Sequence, residues 1–219
     1  MNRNPVVFED FGNIEIIYGK STHDFPVHIH QSECYGMLTS GSAVFFCGKR
    51  KILKAGDGYW IPSSAPHSFA AIDGGEYAYK TICVKNCAAK SNEDGWLRRV
   101  KSYILENAAE DLDIDALSKH VHLSKFHLIR KFKDEYGLSP YQYYMNVRIE
   151  KIRHGLLLGQ SLPDLAYELG FSHQSHMCNV FKRYMGITPT QYQYAYTAYS
   201  SAGENVARIN KPSGPAITL

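Results

Sequence analysis

FKDEYGLSPYQY (132–143) and FKRYMGITPTQY (181–192) are one stretch of sequence written twice. Phe, Lys, Gly, Pro, Gln and Tyr are identical between the copies, Leu exchanges with Ile, and Ser with Thr. The offset, from Phe132 to Phe181, is 49 residues, and it also carries His127 onto His176 and Asp115 onto Asp164. So many ungapped matches mean that one supersecondary unit is used twice.

Around this repeat the hydrophobic period is helical. It predicts helices near 94–107, 113–120, 124–136, 140–158, 161–169, 173–185 and 189–195. Ser161 and Asp164 form a capping box with Pro163 in its first turn, and Gly137 and Gly186 fall where helix C-caps are expected. Each unit reads as short helix, tight connection, longer helix. In the connection LGFSHQS (169–175), Gly170 permits a sharp reversal and Phe171 plugs the angle between the helices. This is helix-turn-helix texture; the plainer alternative is a helical bundle with a duplicated hairpin.

The longer helices are two-sided. At about 100° per residue, Leu128, Phe132 and Tyr136 share a core face, as do Met177, Phe181 and Met185. The opposite faces carry Phe126, His127, Arg130 and Lys133, then Ser175, His176, Asn179 and Lys182. Arginine pairs bidentately with guanine and asparagine with adenine, lysines suit phosphates, and an exposed Phe126 suits a thymine methyl. A helix from Tyr141 to Leu158 spans roughly 27 Å, which would let the two reading helices enter successive major grooves.

Before residue 90 the texture is different. Short β-type runs (Ile14–Tyr18, Tyr35–Leu38, Ala43–Cys47, Ile52–Leu53, Tyr59–Ile61, Ser68–Ile72, Tyr77–Val84) are separated by glycine and proline. The pattern fits a small antiparallel barrel or sandwich. NCAAKSN (86–92) reads as a linker, the tyrosine-rich run YQYAYTAY as a helix end with surface packing, and Ala198–Leu219 as a mobile or loosely docked tail. The expected domains are therefore 1–85, a linker at 86–93, a helical domain at 94–195 and a flexible tail at 196–219.

Composition excludes several classes. The net charge of +3 means that any nucleic-acid surface must come from local placement. No run approaches the roughly 20 apolar residues of a membrane span, and residues 1–15 lack the apolar core of a signal peptide. Five cysteines (34, 47, 83, 87 and 178), without a CxxC pair, fit a reducing cytoplasm better than a disulfide framework. Cys47, Cys83, Cys87 and Cys178 read as buried or surface thiols. There is no nucleophile elbow, P-loop or dinucleotide fingerprint.

LPDLAYELGFSHQSHMCNVFKRYMGITPTQY (162–192) resembles the signature of AraC/XylS-type transcription regulators. The resemblance covers about residues 94–195. It implies two helix-turn-helix units joined by a long helix, and a regulator, most often an activator, that contacts RNA polymerase. It places base contacts at Phe126, Ile129 and Arg130 in the first unit and at Gln174, Ser175 and Asn179 in the second. Lys125, at the start of the first reading helix, is taken with them. Asn179 stands where members often have arginine.

FPVHIHQSEC (25–34) with GDGYWIPSSAPH (56–67) resembles the two half-motifs of a cupin barrel, the sensor of arabinose-type regulators. The implied fold is a small cupin-like β-barrel followed by an all-α domain with two helix-turn-helix units. The resemblance points to His28, His30 and His67 as metal ligands, with Cys34 where metal-binding cupins carry glutamate. Strand alternation puts Cys34 on the face of the two histidines and Glu33 on the other, unless a turn at Gln31-Ser32 breaks it. Three imidazoles and a thiolate suit zinc, cobalt or nickel. A barrel that holds a small organic effector, and no cofactor, is the competing expectation.

The sequence thus predicts a cytoplasmic, effector-responsive regulator that binds double-stranded DNA, with a homodimer possible. The rival is a metal-dependent cupin enzyme tethered to DNA.

Overall fold

The repeated residues are helix boundaries. The computed structural model describes residues 6–10, 13–85 and 95–202. Its helices are α1 (Gly95–Glu106), α2 (Ile114–His120), α3 (Lys125–Tyr136), α4 (Pro140–Leu157), α5 (Leu162–Glu168), α6 (Gln174–Met185) and α7 (Pro189–Ala202). Gly137 and Gly186 close α3 and α6 in left-handed conformations, at φ 74° and 73°. Two residues on, Ser139 and Thr188 cap the next helices, with Pro140 and Pro189 as their first residues. The Gln142 and Gln191 side chains accept from the Ser139 and Thr188 backbones at 2.9 and 2.8 Å, while the hydroxyls accept from the glutamine backbones at 3.2 Å each. These are reciprocal capping boxes, and they account for the repeated Gly, Ser/Thr, Pro and Gln. The repeated Phe and Tyr are core: Phe132, Phe181 and Tyr192 are fully buried and Tyr143 nearly so.

The constant offset does not extend upstream. Asp113 caps α2 and Ser161 caps α5, and the positive φ after each helix falls at His122 and Gly170. Those pairs are 48 residues apart, because the turn into α6 is one residue longer than the turn into α3. Asp115 and Asp164 are therefore not equivalent in space, although they align in sequence. The extra residue lies in the connection with Gly170 at φ 64°, where a Cβ would strike the Ala109 carbonyl. Phe171 is buried in the angle, as its position predicts.

Each unit has its own core. Leu117, Leu128, Phe132 and Tyr143 pack with α1 residues Val100 and Ile104; Leu165, Met177, Phe181 and Tyr192 form the second core. Helix α4 serves both, with 11 of its 18 residues buried. Its Arg148, 4% exposed, donates to the Tyr144 hydroxyl and the Leu169 carbonyl and lies 3.7 Å over the Phe171 ring. That pins α4 to the turn of the second unit.

The strands are β1 (Val6–Asp10), β2 (Ile14–Ser21), β3 (Phe25–His28), β4 (Ser32–Ser40), β5 (Ser42–Cys47), β6 (Lys49–Lys54), β7 (Gly58–Ile61), β8 (His67–Ala71) and β9 (Tyr77–Lys85). They form two antiparallel sheets, ordered β1-β2-β9-β4-β7 and β3-β8-β5-β6. Period-two burial aims Leu38, Ala43, Phe45, Leu53, Tyr59, Ile61 and Tyr77 into the space between them.

Two strands escape the sequence reading. β1 is five residues long, and β3 contains Pro26 and carries a register irregularity against β8. Helix α7 runs to Ala202 rather than ending at 195, so the predicted tail begins inside a helix. The predicted linker at 86–93 and the tail beyond 202 lie outside the described residues.

The barrel docks on the helices through β1–β3. Phe8 meets Tyr192 edge-on, with ring centroids 5.2 Å apart, and joins the second helical core. Arg153 reaches Glu15 at 3.6 Å. His23 donates to the Arg183 carbonyl at the end of α6, and Phe25 packs so tightly on Gly186 that a Cβ there would lie 3.0 Å from its ring. The backbone N–H of Ile29 donates to Asn146 Oδ1 on α4 at 3.3 Å.

Candidate functional site

Helices α3 and α6 present their polar faces to solvent. Lys125, Phe126, His127, Arg130 and Lys133 are exposed on α3, and Gln174, Ser175, His176, Asn179 and Lys182 on α6; Ile129 is half-buried. Phe126 is 85% exposed, an expensive place for a benzyl group unless something covers it. Lys125 is tied to Asp115 at 3.0 Å, which braces the start of α3 on α2. His176 is held edge-on to Phe171, at 5.5 Å, and lies 3.4 Å from the Ser172 hydroxyl. Arg130, Lys133, Asn179 and Lys182 lie on the exposed faces of two like helices joined through α4, which is itself about 27 Å long.

The second site lies inside the barrel. His28 on β3 faces His67 on β8, their ring centroids 4.1 Å apart, and His30 stands 4.6 Å from His67 and 6.1 Å from His28. Each Nδ1–H donates to a backbone carbonyl two residues away: His28 to Pro26 at 2.9 Å, His30 to Ser32 at 2.8 Å and His67 to Ala65 at 2.9 Å. A carbonyl can only accept, so the Nδ1–H tautomer is fixed and each Nε2 keeps its lone pair. Desolvation holds all three rings neutral. It lowers His28 to about 4, with His30 adding to the effect, lowers His30, and takes His67 well below the usual value.

The predicted fourth ligand is not available as a thiolate. Cys34 on β4 is the cross-strand partner of Cys83 on β9, and the two form a disulfide. This corrects three expectations at once: Cys34 as a metal ligand, Cys83 as a thiol, and a chain without disulfides. The physical reason is register, which sets the two Cα atoms 4.2 Å apart on the inner face. The Cys34 sulfur nevertheless lies 3.7 Å from His30 Nε2. Glu33 faces outward, where Tyr35 and Trp60 donate to its carboxylate at 2.7 and 2.8 Å, so no turn brings it to the histidines. Among the described residues no group of three His, Cys, Asp or Glu side chains is arranged to hold a metal ion. The expected set of three imidazoles and a thiolate is therefore not present.

The histidines instead end a polar row. His28, His67, Cys47 and Lys49 are successive cross-strand partners over β3, β8, β5 and β6. The next row along the same face is Phe25, Phe69, Phe45 and Lys51. Where the rows reach β6 and β7 the barrel opens into a pocket of about 550 Å³. Sequence reading passed over Lys49 and Lys51; the signal was the alternation in KRKILK (49–54), in which Leu53, Lys51 and Lys49 share a face.

A family model described as an AraC-like ligand binding domain matches residues 11–122, just over half of the chain, and a helix-turn-helix domain model matches 117–195. The first match runs past the barrel into α1 and α2. The transcriptional regulator MtrA of Neisseria gonorrhoeae is 29% identical over 108 residues, 48% of this chain and 35% of its own length. The transcriptional activator RhaS of Escherichia coli is 30% identical over 99 residues, 45% and 36% of the two chains. The uncharacterized regulator YbfI of Bacillus subtilis is 38% identical over 81 residues, 37% and 30%. The chain spans about a third of the length of these curated relatives. ToxT of Vibrio cholerae shares the fold, with TM-score 0.56 and 11% identity over 85% of this chain and 97% of that one.

Proposed function

The chain belongs to the AraC family of DNA-binding transcription regulators, and on that premise we propose that a small organic effector in the barrel controls how α3 and α6 read operator DNA. It is a regulator with a ligand-binding domain, and its relatives are named as regulators rather than enzymes. The observation that carries the DNA reading is the pair of like helices with solvent-exposed polar faces, one of which exposes Phe126. Arg130 and Asn179 supply base contacts, Lys133 and Lys182 hold phosphates, and Phe126 packs on a thymine methyl. The regulator acts as an activator by contact with RNA polymerase.

An organic effector is the reading favoured for the barrel, because the disulfide removes the thiolate from the expected metal set while three neutral imidazoles with Nε2 lone pairs can accept hydrogen bonds from a ligand. Coupling runs through β3. One face of this strand carries His28; its flanks touch α6 through His23 and Phe25 and α4 through Ile29. A ligand that favours one setting of β3 shifts the pose of α4 and α6, provided its affinities for the two settings differ.

Selection of bound duplexes from a random library tests this reading. A single enriched sequence is expected, bound with the full chain's two helices protecting adjacent major grooves. Failure to enrich any sequence overturns it. Elemental analysis of the same protein is expected to find no stoichiometric metal; zinc, cobalt or nickel at one per chain returns the site to the metal reading.

A further inference from the structure

Helices α3 and α6 meet the barrel at equivalent points. Gly137 and Gly186, the C-caps that the duplication repeats, are each covered by a barrel side chain. A Cβ at Gly137 would lie 2.7 Å from Pro66 Cγ, and one at Gly186 would lie 3.0 Å from Phe25 Cε1 and 3.3 Å from the His23 ring. Both seats are braced. The Ser64 N–H donates to the His30 carbonyl at 2.9 Å and the Ser63 hydroxyl to the Gln31 carbonyl at 2.6 Å, which ties the Pro66 loop to the barrel. Phe25 pairs with Phe69 on β8, and His23 beside it donates to the Arg183 carbonyl on α6 at 2.8 Å. The candidate base contacts lie in the other half of each helix, at Phe126 and Arg130 on α3 and at Ser175 and Asn179 on α6. A helix of 12 residues is about 18 Å long, so a tilt of roughly 10° about its C-cap carries the far end by about 3 Å. That is close to the rise of one base pair, roughly 3.4 Å.

We propose that Pro66 and Phe25 are positioning residues for DNA reading: by seating Gly137 and Gly186 on one barrel they hold α3 and α6 at one separation, and so select the spacing between the two half-sites. This rests on α3 and α6 being the helices that enter DNA. Helix α4 joins the two units in sequence, and the barrel is a second brace across them. Pro66 leads directly into His67 on β8, and Phe25 shares β3 with His28, so both seats adjoin the histidine cluster.

The test measures binding of the full chain to the duplex enriched by selection, and to versions with one base pair inserted or removed between the two protected grooves. The parent is expected to lose roughly tenfold or more on each altered spacing. Gly137→Asn and Gly186→Asn keep a residue that tolerates the left-handed conformation but push against Pro66 and Phe25. Each is expected to cut the spacing penalty to about threefold or less, or to move the optimum by one base pair. Gly159→Asn is the control, since its φ is 78° and a Cβ there meets nothing within 4 Å; it is expected to keep the parent's profile. Pro66→Ala and Phe25→Leu withdraw the seats from the barrel side and are expected to widen the tolerance in the same way, whether or not the asparagine variants fold. The readout is a ratio between spacings, so a general loss of stability or affinity does not move it. Folded seat variants that keep the parent's penalty, or a parent indifferent to spacing, overturn this proposal while specific binding stands; in the first case α4 alone sets the separation. Failure to enrich any duplex overturns the regulatory reading and this proposal with it.

Discussion

Arg130 and the three barrel histidines show how much a single side chain decides. Arg130 is exposed on α3 and among the described residues has no ion pair, so its guanidinium is available to a base edge. Arg130→Ala is expected to cost roughly 1–3 kcal/mol on the selected duplex and to relax preference at one base position. Equal losses on specific and random DNA, measured by competition, would make it a phosphate contact. His28, His30 and His67 carry a different consequence. Burial lowers all three below 6.5, so below that pH the unfolded chain takes up protons that the folded barrel refuses. The stability they allow is complete above pH 6.5 and is lost as the pH falls toward about 4, where His28 titrates. The slope is about 1.4 kcal/mol per pH unit for each histidine held neutral. Denaturant midpoints between pH 7 and 5 should drop, and His28→Gln should flatten the drop. A pH-independent midpoint would mean that water reaches the rings.

On the proposed reading, strand β3 is the element that couples the barrel to the helices. It is short, holds Pro26, and among the described strands pairs only with β8, yet it carries His28 of the proposed effector site and is flanked by contacts to α6 and α4. Asn146 fastens it to α4, accepting from Ile29 while donating to the Gln142 carbonyl at 2.6 Å. Asn146→Ala frees one backbone donor at that junction. The expected result is retained effector binding and retained DNA binding, with the effector's influence on DNA affinity reduced. Full coupling in the variant, from duplex titrations with and without effector, would move the path to the β1–α7 contact of Phe8 and Tyr192.

At the scale of the molecule, one disulfide and one charge pattern set the behaviour. Cys34–Cys83 closes a loop of 49 residues that takes in most of the barrel. On loop-entropy grounds, reduction or Cys83→Ser is expected to lower barrel stability by about 4 kcal/mol. Chemical denaturation with and without reductant checks this, and coincident curves would show that the bond is not formed in the purified protein. The net charge is only +3, and the cations of the two candidate DNA-facing helices are Lys125, Arg130, Lys131 and Lys133 on α3 and Lys182 and Arg183 on α6. Duplex affinity should therefore fall steeply with salt, with a log–log slope of about −0.9 per phosphate contact. A flat response would argue against docking in two grooves.

The sequence by itself determined the helical half, because what fixes it is local. Helix caps, proline at N1, glycine at C′ and a 3.6-residue period are written in neighbouring residues, and the duplication writes them twice. The reading faces followed from that period, as did the clustering of the three histidines from the two half-motifs. Tertiary structure decided whatever depends on register. No spacing rule pairs Cys34 with Cys83; the alignment of β4 on β9 does, and it removes the thiolate from the histidines. Lys49 and Lys51 look like surface charges until β5 sets them opposite Cys47 and Phe45. Strand β3 is unreadable locally because its proline and irregular register are tolerated only between a sheet and two helices. The upstream repeat slips by one residue for a reason visible only in space, since the turn into α6 must pass Gly170 over Ala109 and seat Phe171 in the core beneath Arg148.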